Sequence, residues 1–178
     1  VVDVATGPGP SYGFDISREE TALAAGLSWK EVENRTKSEK ISFMKHAAAC
    51  LIKRLFKENR ADGVIAAGGL QNTVMAVEAM KALPIGIPKV IATTVACGGR
   101  KFEDVVGERD IVVIPSICDF TGLNIITRKI ISNACACCIG MVKAGAGKLA
   151  QADRPVIGVT LMGITNTGAC AAIDYLKS

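Results

Sequence analysis

With 178 residues the chain can bury one sizeable core, or carry one domain and the start of a second. Its apolar share of 49% sits in short runs such as 63–67 and 111–114, below the roughly 18–20 residues of a membrane-spanning helix. A net charge of +4 with acids and bases interspersed, and only 4% aromatics, excludes the basic, stacking surface of a nucleic-acid binder.

Residues 1–5 read as a strand, ended by Gly7-Pro8-Gly9-Pro10. Ser17-Arg18-Glu19-Glu20 is a capping box that starts a short helix, and Ser28-Trp29-Lys30-Glu31 repeats the device. From 37 to 59 the pattern is helical, with Ile41, Met44, Ala48, Leu51, Ile52 and Leu55 on one face. Residues 63–68 then form a buried strand and 72–83 a helix. A turn at 84–88 precedes the strand 89–93, and a loop rich in glycine and charge leads to the strand 111–115.

A long helix follows, with Leu123, Ile126, Ile130, Ala134, Cys137 and Met141 on one face. A linker over 143–154 leads to a last strand at 155–161 and a helix from 168 to 176. Strands alternate with helices and read as continuous apolar runs, the pattern of a sheet covered on both faces. The expected fold is α/β, a doubly wound, mainly parallel sheet. Val1 opens directly into an apolar run, so we read the chain as a fragment whose upstream part is missing. Seven cysteines, an odd number in mostly apolar segments, read as free thiols in a reducing cytoplasm.

Ligands of open parallel sheets bind outside the carboxyl ends of the strands. Four loops place suggestive residues there. Gly68-Gly69-Leu70-Gln71-Asn72-Thr73 joins a strand to a helix: glycines admit an anion close to the backbone, and free N–H groups at the helix start bind it. Asn72 and Thr73 add a cap and a hydroxyl. The spacing matches neither a Walker loop nor a dinucleotide fingerprint, and a tight turn that binds nothing is the competing reading.

Thr93-Thr94-Val95-Ala96-Cys97-Gly98-Gly99 offers hydroxyls, a thiol and glycines, with Arg100 and Lys101 read as solvated. In the third loop, Asp119 is placed to hold a ribose hydroxyl or Mg²⁺ through water, or else Asp119 or Thr121 caps the long helix. The fourth, 160–168, is a hydroxyl-rich turn that serves a separate site if a second domain begins there.

Other residues carry less. His46, the one histidine, reads as a surface residue with no visible Ser, Cys or carboxylate partner. Cys135 and Cys138 form a C-x-x-C in mid-helix, away from the N-terminal dipole that activates redox pairs, so packing is expected. No serine or cysteine nucleophile has an evident base.

Ser17-Arg18-Glu19-Glu20, the strand and loop 63–73, the stretch 82–90, 93–98, Val106-Gly107 with Asp110-Ile111, Pro115-Ser116, Asp119, Gly122-Leu123-Asn124 and Gly158-Val159-Thr160 occur in one order. In this the chain resembles the Tm-1-like ATP-binding family, whose plant members include a tobamovirus-resistance protein. The resemblance implies a Rossmann-like nucleotide-binding domain over residues 1–150, lacking its first strand. Residues 151–178 would be a linker and the start of a TIM-barrel-like domain. It further implies homodimers and ATP, with Mg²⁺, as the ligand. On it, Gly68, Gly69, Asn72 and Thr73 hold phosphates, and Thr94, Gly98 and Asp119 line the nucleotide site. Leu70-Gln71 stands where smaller residues are expected and narrows the loop. A regulatory protein-interaction module, or an enzyme acting on a small phosphorylated metabolite, remains open.

Overall fold

Three of the apolar runs pair in parallel and in chain order, as β1 (Val64–Gly68), β2 (Lys89–Thr93) and β3 (Val112–Pro115). The computed structural model describes residues 1–8, 13–97, 103–107, 109–145, 157–159 and 163–177. Among these lie seven helices: α1 (Arg18–Leu23), α2 (Trp29–Glu33), α3 (Lys37–Lys57), α4 (Leu70–Lys81), α5 (Glu103–Val106), α6 (Ile125–Lys143) and α7 (Asn166–Lys177). The protein has an α/β fold with an open parallel sheet.

Alternation along the strands explains the two helical layers. Ile91 of β2 packs with Val77 and Met80 of α4 and Val106 of α5, whereas Val90 and Ala92 point the other way, onto Ala134 and Cys138 of α6. The central strand is therefore buried at all five positions. β1 is an edge strand, and its Ile65 and Ala67 are exposed. A third cluster lies outside the sheet, where Met44 and Ala47 of α3 meet Ala22, Val32 and Met75.

The capping boxes at Ser17 and Ser28 are present as read, and Thr36 with Glu39 forms another at the start of α3. The apolar face read on α3 is the inward one, with Met44, Ala48, Leu51 and Leu55 buried.

Lys89 was hidden in an apolar pattern, and it is buried. Its ammonium donates to Asp110 Oδ1 and Oδ2, both at 2.9 Å, and to the Pro84 carbonyl at 2.7 Å. Asp110 also accepts the Gly86 N–H at 2.7 Å. Partial burial pushes this carboxyl up, but the Gly86 N–H and the hydrogen bond and charge of Lys89 together hold it below the usual carboxylate range.

Several expectations are corrected. Residues 1–5 form no strand: Val2 makes one isolated parallel bridge to Ile16, because backbone bonds run to Asp15 and Ile16 and no strand among the described residues lies alongside. Residues 157–159 carry no strand, and 155, 156, 160 and 161 lie outside the described residues. On α6 the last four residues of the read stripe, Ile130, Ala134, Cys137 and Met141, pack on the sheet, and the first two do not. Thr127, Ala134 and Cys138 are buried, while Leu123 and Ile126 are exposed. By length and composition alone α6 is apolar enough to cross a membrane, contrary to the reading of the runs, although it packs here on the sheet.

Candidate functional site

Parallel register brings the strand ends level. Gly68 pairs with Thr93, and Thr93 with Pro115, so the loops after β1, β2 and β3 leave the sheet side by side. This alignment is what gathers the candidate residues.

The glycine loop has a specific geometry. Gly68 has φ +152°, and a Cβ there would fall 2.6 Å from Asn72 Nδ2 and 2.7 Å from Asn72 Cβ. Only glycine fits. Gly69 has ordinary backbone angles and serves as the N-cap of α4, so the helix begins at Leu70, two residues earlier than read. Asn72 is consequently inside the first turn and not its cap. Nothing in that turn is acidic, and its leading N–H groups lack intrahelical acceptors, the usual state of a helix start. A Cβ on Gly69 would lie 3.7 Å from Thr94 Oγ1, which places the second loop directly against the first.

Thr73 is fully buried, and its hydroxyl bonds the Gly69 carbonyl at 2.8 Å and Thr93 Oγ1 at 2.6 Å. Thr93 Oγ1 in turn accepts the Val95 N–H at 3.0 Å. These two hydroxyls brace the loops from beneath. Gly98 lies outside the described residues, as do Arg100 and Lys101.

The third loop begins at Ser116, which is buried; its N–H donates to the Thr93 carbonyl at 3.1 Å and its Oγ to the Cys118 carbonyl at 2.7 Å. Asp119 is exposed, and its Oδ1 accepts the adjoining Phe120 N–H. It does not cap α6, nor does Thr121. Asn124 does, accepting from Ile126 and Thr127 at 2.8 and 3.0 Å, while Thr127 Oγ1 accepts the Asn124 N–H. Asp119 is thereby left facing solvent at the same sheet end.

Sequence reasoning missed three features. Gln71 Nε2 donates to Thr6 Oγ1 at 3.2 Å, tying the glycine loop to the N-terminal segment. A groove of about 1080 Å³ is lined by residues 1–6, the outer side of β1 and apolar positions of α3 and α4, together with Gln71 and Asn72. Ile117 has φ +66° and is exposed; for a β-branched residue this is an outlier, and such strain concentrates at ligand-binding loops. No sequence signal marks it. Relieving it in Ile117→Gly is expected to raise stability by about 1 kcal/mol, read as a higher urea midpoint at unchanged slope. An unchanged or lower midpoint would remove strain from the account of this loop.

The cysteine pair behaves as packing predicts. Cys138 is buried against the sheet, and desolvation, with smaller contributions from Cys137 and Cys135, pushes its thiol up. His46 does have a partner, contrary to expectation: its Nε2 lies 3.4 Å from Cys50 Sγ. Spacing of four along a helix was the available signal.

The N-terminal domain model of an uncharacterised protein family (UPF0261) matches residues 1–147. The chain belongs to this family. A UPF0261 protein of Clostridium tetani is 36% identical over 179 residues, covering 100% of this chain and 44% of that protein. One from Rhizobium meliloti is 32% identical over 180 residues, 100% of this chain and 43% of its own length. The tomato ToMV resistance protein Tm-1(GCR237) is 36% identical over 132 residues, 70% of this chain and 17% of the tomato protein. The chain thus spans under half the length of the bacterial relatives it matches.

Proposed function

We propose that this domain binds ATP with Mg²⁺ at the carboxyl ends of β1, β2 and β3. The observation that carries this reading is the alignment of Gly68, Thr93 and Pro115 across the sheet, which sets Gly69 against Thr94 at one sheet end. Crevices at that end of a parallel sheet are where nucleotides bind. In this assignment the N–H groups that open α4 meet the phosphates, admitted by Gly68 and Gly69. Asn72 and Thr94 offer side-chain bonds, and Thr73 holds the loop from below. Asp119 is assigned the remaining wall, its carboxylate reaching Mg²⁺ through water.

The test is a thermal shift. Mg-ATP at about a hundred times its Kd should stabilise the protein by about 2.7 kcal/mol, a rise of several degrees. Asp119→Ala should reduce the shift. Stabilisation by sugar phosphates with none from ATP would overturn the nucleotide reading in favour of a metabolite site.

A second reading is a regulatory module whose ligand stabilises a surface for another protein. The outer face of α6 favours it, because Ile125 and Ile139 are exposed there. The same face is our assignment for homodimer contact. The free thiols fit a cytoplasmic location.

A further inference from the structure

We infer that Cys50 is a thiol-modification site that reacts with anionic disulfides, with His46 as its base. The two lie one helical turn apart on the outer side of α3, Sγ to Nε2 at 3.4 Å. With Nε2 as the acceptor tautomer, the thiol donates directly to the ring. Spacing of three and four continues the stripe toward the C-terminal end: Cys50, Lys53, Arg54 and Lys57 line one shallow depression together with Glu58. Glu58 is engaged by Arg60 at 3.3 Å, so the three cations dominate the field that an approaching reagent meets. Lys53, Arg54 and Lys57 are all exposed, and Cys50 is partly so.

This combination supplies what thiol–disulfide exchange needs: access, a proton acceptor and attraction for the reagent. The Cys50 sulfur attacks one sulfur of the disulfide, and its proton passes to His46. The S–S bond of the reagent breaks, its electron pair leaves on the departing thiolate, and His46 returns the proton to that thiolate. One disulfide is consumed and one mixed disulfide formed, so no other oxidant is required. The carboxylates of a glutathione-like disulfide match the cationic stripe, and the product replaces a small thiol with an anionic group there.

Cys170 is a control within the same chain. It is the more exposed thiol, yet Asn166, which cannot take its proton, stands four residues before it where His46 stands before Cys50. The experiment treats the chain with oxidised glutathione at fixed neutral pH and follows each cysteine by peptide mass mapping. Cys50 should be modified about fivefold faster than Cys170, and His46→Asn should remove most of that advantage. Arg54→Gln with Lys57→Gln should slow reaction with oxidised glutathione while leaving that with neutral hydroxyethyl disulfide unchanged. These substitutions are on an exposed face, and a thermal melt confirms folding. Equal rates at Cys50 and Cys170, or a His46→Asn rate equal to the parent's, would overturn the proposal.

Discussion

Replacing Asp110 with alanine is expected to destabilise the protein by about 3 kcal/mol, the low end for breaking a buried ion pair because Asp110 is itself a third exposed. The loss falls on Lys89, which is 1% exposed and would be left with only the Pro84 carbonyl as partner. For a chain of this length the melting temperature should drop by roughly 6–12 °C. The double variant Lys89→Met with Asp110→Ala should recover much of that, since a well-packed apolar pair avoids the desolvation penalty. A single variant melting within 2 °C of the parent would show that water reaches Lys89.

The same pair predicts a pH dependence. The folded Asp110 carboxyl lies below its ordinary value, so the unfolded chain takes up its proton first as pH falls. The contribution is complete above the unfolded value and is lost as pH drops through the folded one. Parent and Asp110→Ala should therefore differ at neutral pH and converge below about pH 4. Urea melts at the two pH values check this.

Gly68→Ala is the second large effect, at about 2–4 kcal/mol. Positive φ in that region costs a side chain 1–3 kcal/mol by itself, and the added methyl would sit inside the van der Waals radius of Asn72. Substituting Asn72 with alanine cannot relieve it fully, because Asn72 Cβ is one of the overlapping atoms. Gly69→Ala is the informative contrast. Its nearest neighbour would be Thr94 Oγ1 at 3.7 Å, so the fold should lose only the roughly 0.5–1 kcal/mol of a poorer N-cap. If phosphate approaches this backbone, Gly69→Ala should still cut the Mg-ATP thermal shift. Equal shifts in parent and Gly69→Ala would place the ligand away from the loop. Comparing the two glycines separates a residue needed for folding from one needed for binding.

Much of the local structure was legible along the chain. Ser17 with Glu20 and Ser28 with Glu31 are reciprocal caps whose donors and acceptors lie within four residues, so no distant contact is needed to form them. β2 was read at its observed ends, because the apolar run Val90-Ile91-Ala92 between a proline turn and a hydroxyl loop has few other solutions. The inward face of α3 was also correct. On α6 the same reasoning placed Ile130, Ala134, Cys137 and Met141 correctly but missed the small and polar Thr127 and Cys138, which are buried there. Hydropathy gives them little weight, while the close sheet surface under Val90 and Ala92 favours them.

The sequence by itself determined the order of the elements from α3 to α6 and the reciprocal caps at Ser17 and Ser28, because each depends on neighbours within one helical turn or one strand. Tertiary structure decided the rest. It left residues 1–5 with a single bridge, Val2 to Ile16, and buried Lys89 against an aspartate 21 positions away. Above all it set the parallel register that brings Gly68, Thr93 and Pro115 level. Register depends on which side chains of three separate strands pack between α4 and α6, and that choice is made only when all of them are in place.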